Sequence, residues 1–279
     1  MSSTLHRLAA FTTVPGGGNP AGVWIGDALP APPEMQRIAA EVGYSETAFI
    51  APAHGLARTV RYYSPAQEID FCGHATIASG VVLGETDGAG SYRFSIRPGE
   101  IPVEVRRRDG RWEAALTSVP PRSEPAPARL VADALAALGW RATDLDPAIP
   151  PARAFAGVWH LVLAVRSPAR LAQLDYDFAT LRSLMLADQL TTLQLIWRER
   201  ADLFHSRNPF PVGGVVEDPA TGASAAALGG YLRQVGLIAV PSTILIRQGE
   251  AMGRPSRITV EIPTAGGIVV SGNAAPIAT

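Results

Sequence analysis

Two stretches of small and apolar residues constrain this 279-residue chain more than any other feature: HATIASGVVLG (74–84) and GASAAALGGYLRQVG (222–236). Each has the length of a helix and is apolar on nearly every side, and a helix apolar all round is one that a protein buries. A turn of glycine and polar residues precedes each, CGH in the first case and EDPATG in the second. Around the first stretch, apolar alternation predicts strands over 5–11, 21–25, 47–50, 58–63, 92–96, 101–105 and 112–116, with a further helix over 33–42. The second half repeats this style. Strands are predicted over 152–157, 161–165, 192–197, 202–206, 243–246, 257–262 and 267–271, and helices over 128–138 and 178–187. The reading is an α+β chain of two similar domains, each a curved, mostly antiparallel sheet wrapped around a central buried helix. The domains span 1–118 and 128–265. The proline-rich stretch 119–127 is the linker, and a last strand within 266–279 packs back on the first domain.

Composition narrows the function classes. Hydrophobic residues make up 47% of the chain and charged residues 18%, enough for a sizeable core. No run approaches the ~18 uninterrupted apolar residues of a spanning helix. The opening MSSTLHRLAAF has no basic start followed by an apolar core, so no membrane partner and a cytoplasmic location are expected. With 24 basic and 25 acidic residues there is no stripe to neutralise phosphates, so nucleic acid is not an expected partner. The densest basic cluster, Arg106 to Arg108, runs into Asp109-Gly110, a hairpin signal, and reads as a solvated strand end. Cys72 is the single cysteine, which excludes an intrachain disulfide and any zinc site built on several thiolates. Neither GxxxxGK[ST] nor GxGxxG occurs in a suitable context, and no His/carboxylate group has metal-ligand spacing. No cofactor and no metal are expected.

The helix starts are where chemistry enters. The first N–H groups of a helix lack intrahelical partners and carry the positive end of the macrodipole. A buried helix that opens onto a cleft is therefore an anion site without Lys or Arg. The small residues Gly73 and Ala75, with Gly222, Ala223 and Ser224, let a carboxylate approach these backbones. Read singly, the glycines could equally serve a tight turn. Likewise His74 could be an ordinary capping or core histidine, Asp218 an ordinary turn aspartate, and Glu46 in VGYSETAFI an outward-facing strand residue. The functional version of Glu46 is a partly desolvated carboxyl that gives and takes a proton.

Taken together, five segments in order resemble the PhzF-like (phenazine biosynthesis) isomerases, which share the diaminopimelate epimerase fold: AFTTVPGGGNPAGV, SETAFI, YYSPAQEIDFCGHATIASG, FHSRNPFPVGGVVEDPATGASAAALGGYL and IRQGEAMGRPSRI. The resemblance implies an active site in the cleft between two domains, a small carboxylate-bearing substrate, a homodimer, and no metal or organic cofactor. It implies that Glu46 is the acid/base and that His74 and Asp218 assist proton movement. Asn19, Ser45 and the residues at the two helix starts are implied to contact substrate. The best-known family reaction is the isomerisation of trans-2,3-dihydro-3-hydroxyanthranilate. Two departures stand out. The family often has GSAH where this chain has Gly222-Ala223-Ser224-Ala225, which removes a hydroxyl at 223 and leaves one at 224. Many relatives carry VDAF where this chain reads Leu8-Ala9-Ala10-Phe11.

Two other readings stand beside the isomerase. Racemases of the same fold oppose two cysteines, which a single thiol excludes, leaving only a mixed Cys72/Asp218 pair. The other is a catalytically silent member that keeps the cleft for a small ligand or a protein.

Overall fold

The computed structural model describes residues 3–278. The chain divides into two compact units, 1–117 with 271–279, and 118–270.

In the first unit β1 (Ser3–Ala10) pairs antiparallel with β2 (Asn19–Gly26), and α1 (Pro32–Val42) crosses to β3 (Glu46–Pro52), which lies parallel to β2. β4 (Ala57–Tyr63) returns antiparallel and forms a short hairpin with β5 (Glu68–Ile69). The chain then enters α2 (Gly73–Asp87), which crosses to β6 (Gly90–Ile96), parallel to β4. β7 (Gly99–Arg108) and β8 (Arg111–Thr117) complete an antiparallel meander. The C-terminal strand Ala274–Pro276 pairs antiparallel with β1.

Every residue of α2 from His74 to Gly84 is buried, because the helix packs against β1, β2, β7 and β8. The approach is close. A Cβ on Gly80 would stand 2.6 Å from the Ala114 Cβ, so only glycine fits without displacing β8.

In the second unit β9 (Arg122–Pro125) leads to α3 (Ala128–Ala137) and then to β10 (Ala152–Phe155), which pairs with β9 and with β11 (Trp159–Ala164). α4 (Pro168–Ala172) and α5 (Phe178–Ala187) cross to β12 (Leu190–Arg200), parallel to β11. β13 (Leu203–Phe210) is antiparallel to β12 and pairs with β14 (Val215–Asp218). α6 (Gly222–Gln234) crosses to β15 (Ser242–Gln248), parallel to β13, and β16 (Ser256–Ile262) pairs antiparallel with β15. Strand for strand, β10 to β16 repeat the pairing and direction of β1 to β7, with α6 in the place of α2. A second apolar cluster, including Leu135, Trp140, Leu163, Leu181, Met185 and Leu195, packs α3 and α5 on the far side of β11 and β12.

Two expectations need correction. Part of the expected linker, 119–127, is a strand: β9 sits on β10, with Arg122 over the rings of Phe155 and Trp159 and Glu124 paired to Arg153. Prolines hid it, since they lack a ladder donor and are confined to strand margins and edges; here Pro125 is the strand's last residue. The Arg106–Arg108 end of β7 is not simply solvated. Arg106 and Arg108 both reach Glu113, which is almost fully buried, and Arg107 lies over the Trp112 ring. The hairpin signal itself holds, with Asp109 and Gly110 both in the left-handed region that a two-residue turn requires. Among the described residues no helix is long and apolar enough to cross a membrane.

Candidate active site

Strand direction assembles the first cluster. β2 begins at Asn19 and β3 at Glu46, and because they are parallel, with Ala21 opposite Glu46, both begin at one edge of the sheet. β4 runs back and ends at Tyr63 opposite Thr47, which returns the chain to that edge before α2. Residues distant in sequence therefore meet at the helix start. His74 Nε2 lies 3.2 Å from the Glu46 carboxylate and 3.5 Å from Ser45 Oγ, and His74 Nδ1 lies 3.2 Å from Asn19 Nδ2. Cys72 Sγ is 3.4 Å from Nδ1 and 3.8 Å from Nε2 of the same ring. Asn19, Cys72 and His74 are buried, whereas the Glu46 side chain keeps 19% of its exposure. Glu46 thus has one side on the imidazole and another open to a ligand.

The helix start is held rigidly from behind. Thr76 Oγ1 donates to the Cys72 carbonyl at 2.7 Å and accepts from Tyr62, also at 2.7 Å. Burial pushes the Tyr62 phenol far above its ordinary value, which keeps it a donor. No side chain caps α2. Gly73 is half-buried with open space where a Cβ would be, so the first N–H groups can be approached by a small anion.

The start of α6 follows the same plan with different chemistry. It too has no side-chain cap. Asp218 ends β14, half-buried, and its carboxylate accepts a 2.5 Å hydrogen bond from Thr221 Oγ1. Gln248 holds the whole turn. Its Nε2 donates to the Asp218 carbonyl at 2.7 Å and to Thr221 Oγ1 at 3.0 Å, while its Oε1 accepts from the Thr221 N–H at 3.2 Å. The two acids of EDPATG are separated by strand alternation. Glu217 is buried and bidentate to Arg207, a structural pair, and Asp218 is the one left at the helix start.

Ser224 departs from the expectation that its hydroxyl stands in at this site. It is fully buried, donates to the Thr221 carbonyl at 3.0 Å and accepts from Asn208 at 2.8 Å. One residue further along a helix is turned by about 100°, so the hydroxyl at 224 joins the sheet-side network that one at 223 would not reach. That network continues from Asn208 to Thr192 and Ser206, and from Thr192 to His160. Backbone N–H groups at Gly222 and Ala223 remain, and Ala223 is half-buried.

Sequence reasoning missed Gln248 and Asn208 as organisers of this end. Gln248 had a signal, since it falls in the IRQGE segment, but its role depends on which turn β15 lies beside.

Glu46, Cys72 and His74 each offer one donor atom within 4.8 Å of the others, the group among the described residues that has a metal-ligand arrangement. No motif spacing announces it, because strand pairing rather than local sequence brings Glu46 to the other two.

The family model of phenazine biosynthesis-like proteins matches residues 8–279. An uncharacterised isomerase of Bacillus subtilis is 30% identical over 272 residues, covering 94% of this chain and 92% of its own. The trans-2,3-dihydro-3-hydroxyanthranilate isomerase of Pseudomonas fluorescens is 33% identical over 254 residues, covering 89% and 86%. The crystal structure of a PhzF-family phenazine biosynthesis protein of Bacillus anthracis superposes with a TM-score of 0.86 over 100% of this chain and 98% of that one, at 23% identity.

Proposed function

The chain belongs to the PhzC-PhzF family of phenazine biosynthesis-like proteins, and on that premise we propose that it is an isomerase that moves a proton within a small carboxylate-bearing substrate, using Glu46 as the acid/base. One observation carries the reading: the half-open Glu46 carboxylate lies 3.2 Å from His74 Nε2 at the uncapped start of a buried helix. Glu46 gives a proton to one carbon of a conjugated substrate and its conjugate base collects one from another, so no net oxidation or hydrolysis occurs. His74 orients the carboxylate and relays the proton between Glu46 and the substrate's polar group, with Asn19 fixing the ring from the other side. The free N–H groups at Gly73 and Ala75 hold the substrate carboxylate and stabilise charge that develops beside it. Gly222, Ala223 and Asp218 play the corresponding part at the start of α6. The reaction runs on these side chains without a cofactor, in the cytoplasm, in a homodimer; the resemblance of the five segments supports these last points, and light scattering tests the dimer.

Trans-2,3-dihydro-3-hydroxyanthranilate is the first substrate to try, because it is the substrate of relatives about one-third identical to this chain. In D₂O the wild-type protein incorporates deuterium into the product, and Glu46→Gln slows this by about 10²–10⁴-fold. Equal exchange by wild type and variant would remove Glu46 from the mechanism. Binding of the substrate without any exchange by wild type would favour a silent member of the fold.

A further inference from the structure

A fully buried sheet face normally carries apolar side chains, yet His160, Thr192, Asn208 and Ser224, from β11, β12, β13 and α6, are each at most 1% exposed. Asn208 is the hub. Its Nδ2 donates to Ser224 Oγ at 2.8 Å and to Thr192 Oγ1 at 3.1 Å, and its Oδ1 accepts from Ser206 Oγ at 2.7 Å. Thr192 carries the network on to His160 Nδ1 at 2.8 Å. Burying polar groups costs desolvation that apolar side chains avoid. What a satisfied network contributes in return is a fixed geometry.

The geometry fixed here is that of the first turn of α6. Ser224 Oγ, which accepts from Asn208, donates at 3.0 Å to the carbonyl of Thr221, the residue before the helix. The start of α2 has the same backing. Thr76 Oγ1 accepts from Tyr62 and donates to the carbonyl of Cys72, the residue before that helix. Tyr62 lies on β4 and Asn208 on β13, which correspond in the two units. The donor is a phenol in one and an amide in the other, and the hydroxyl sits at the fourth helical residue in one and the third in the other. What the two ends share is the held carbonyl. A peptide group is planar, so holding the Thr221 carbonyl also sets the direction of the Gly222 N–H, which belongs to the same plane. The Thr221 hydroxyl in turn donates to the Asp218 carboxylate at 2.5 Å. We propose that Asn208 is a positioning residue for substrate binding at the start of α6, acting through Ser224 on the Thr221–Gly222 peptide. The substrate part rests on the isomerase reading; the coupling of Asn208 to that peptide does not.

The experiment combines deuterium-exchange kinetics on trans-2,3-dihydro-3-hydroxyanthranilate with the carbonyl ¹³C resonance of Thr221 in the free, full-length protein. Asn208→Leu and Ser224→Ala should each raise KM about tenfold, the worth of one hydrogen bond to a charged group. The kcat should stay within about threefold, because the loss falls on binding common to the ground and transition states. The double variant should raise KM no further than either single one, since both remove the same link. Effects that multiply would overturn the route through Ser224. The Thr221 carbonyl resonance, which reports the hydrogen bond it accepts, should move in Asn208→Leu. Met185→Ala, in the apolar cluster on the far side of β11 and β12, should lower the urea midpoint at least as much and leave both KM and that resonance unchanged. A resonance unmoved in Asn208→Leu, or KM changes that follow stability alike in all these variants, would overturn the proposal. Ser224→Ala, the milder change, carries both measurements if Asn208→Leu does not fold. If wild type catalyses no exchange, the isomerase reading fails and the Thr221 resonance alone decides the coupling.

Discussion

At the start of α2 the side chains that meet are titratable: a carboxylate, an imidazole and a thiol, drawn from β3 and from the helix's own first turn. At the start of α6 the side chains that hold the turn are neutral, an amide and hydroxyls from Gln248, Thr221, Ser224 and Asn208, with Asp218 as the acid at the strand end. Both helices are uncapped, apolar on all sides and inserted by the same succession of strands. The repeated plan therefore supplies two uncapped helix starts, and the side chains around them differ in kind. On the proposed reading the α2 end handles protons, whereas the α6 end holds its turn through neutral side-chain hydrogen bonds.

The largest expected effect tests that comparison at the α2 end. Glu46→Gln should lower proton exchange by about 10²–10⁴-fold and His74→Gln by up to about 10²-fold, while the urea midpoints of both stay close to wild type. Gln248→Ala should do the reverse. It strips partners from the Thr221 N–H and the Asp218 carbonyl, which should cost about 2–3 kcal/mol in urea unfolding, with a smaller loss of turnover than Glu46→Gln. A Gln248→Ala protein of unchanged stability would break the comparison.

Packing sharpens it further. A Cβ at Gly80 meets Ala114 at 2.6 Å, and one at Gly73 meets nothing within 4 Å. Gly80→Ala should therefore destabilise by about 1–3 kcal/mol, whereas Gly73→Ala should leave the thermal midpoint nearly unchanged. Differential scanning calorimetry of the pair separates helix packing from the helix start.

An effect confined to acid pH concerns His160, fully buried in the second unit beside Thr192, where burial holds its pKa down to about 3. An unfolded histidine titrates near 6.5. Between those values the unfolded chain binds a proton that the folded chain refuses. The stability is complete above about pH 6.5 and falls as the pH drops through the window, by up to about 1.4 kcal/mol per pH unit. His160→Gln should flatten that slope between roughly pH 6 and pH 4 in urea titrations.

Element types were legible because they rest on local period. Alternation marked the longer strands, all-round apolarity marked α2 and α6, and small errors fell at the ends, as in the extension of β13 to Phe210. The short strands β5, β9 and β14 escaped because a few residues carry no period and because proline disguised one of them. Glu46 and His74 could be nominated from the ordered segments, yet each alone was compatible with an ordinary residue.

What the chain determined by itself is therefore the family, the two buried helices, the small residues at their starts and the single thiol. Only the tertiary structure decided which groups share a site. Strand direction brings Asn19 and Glu46 to His74 across 55 and 28 residues of sequence, and alternation sends Glu217 inward to Arg207 while Asp218 stays at the helix. The helical turn between 223 and 224 assigns the one nearby hydroxyl to the core. These outcomes depend on pairing register and on the direction of each side chain from its backbone, and neither is a property of a residue's identity or of its neighbours in sequence.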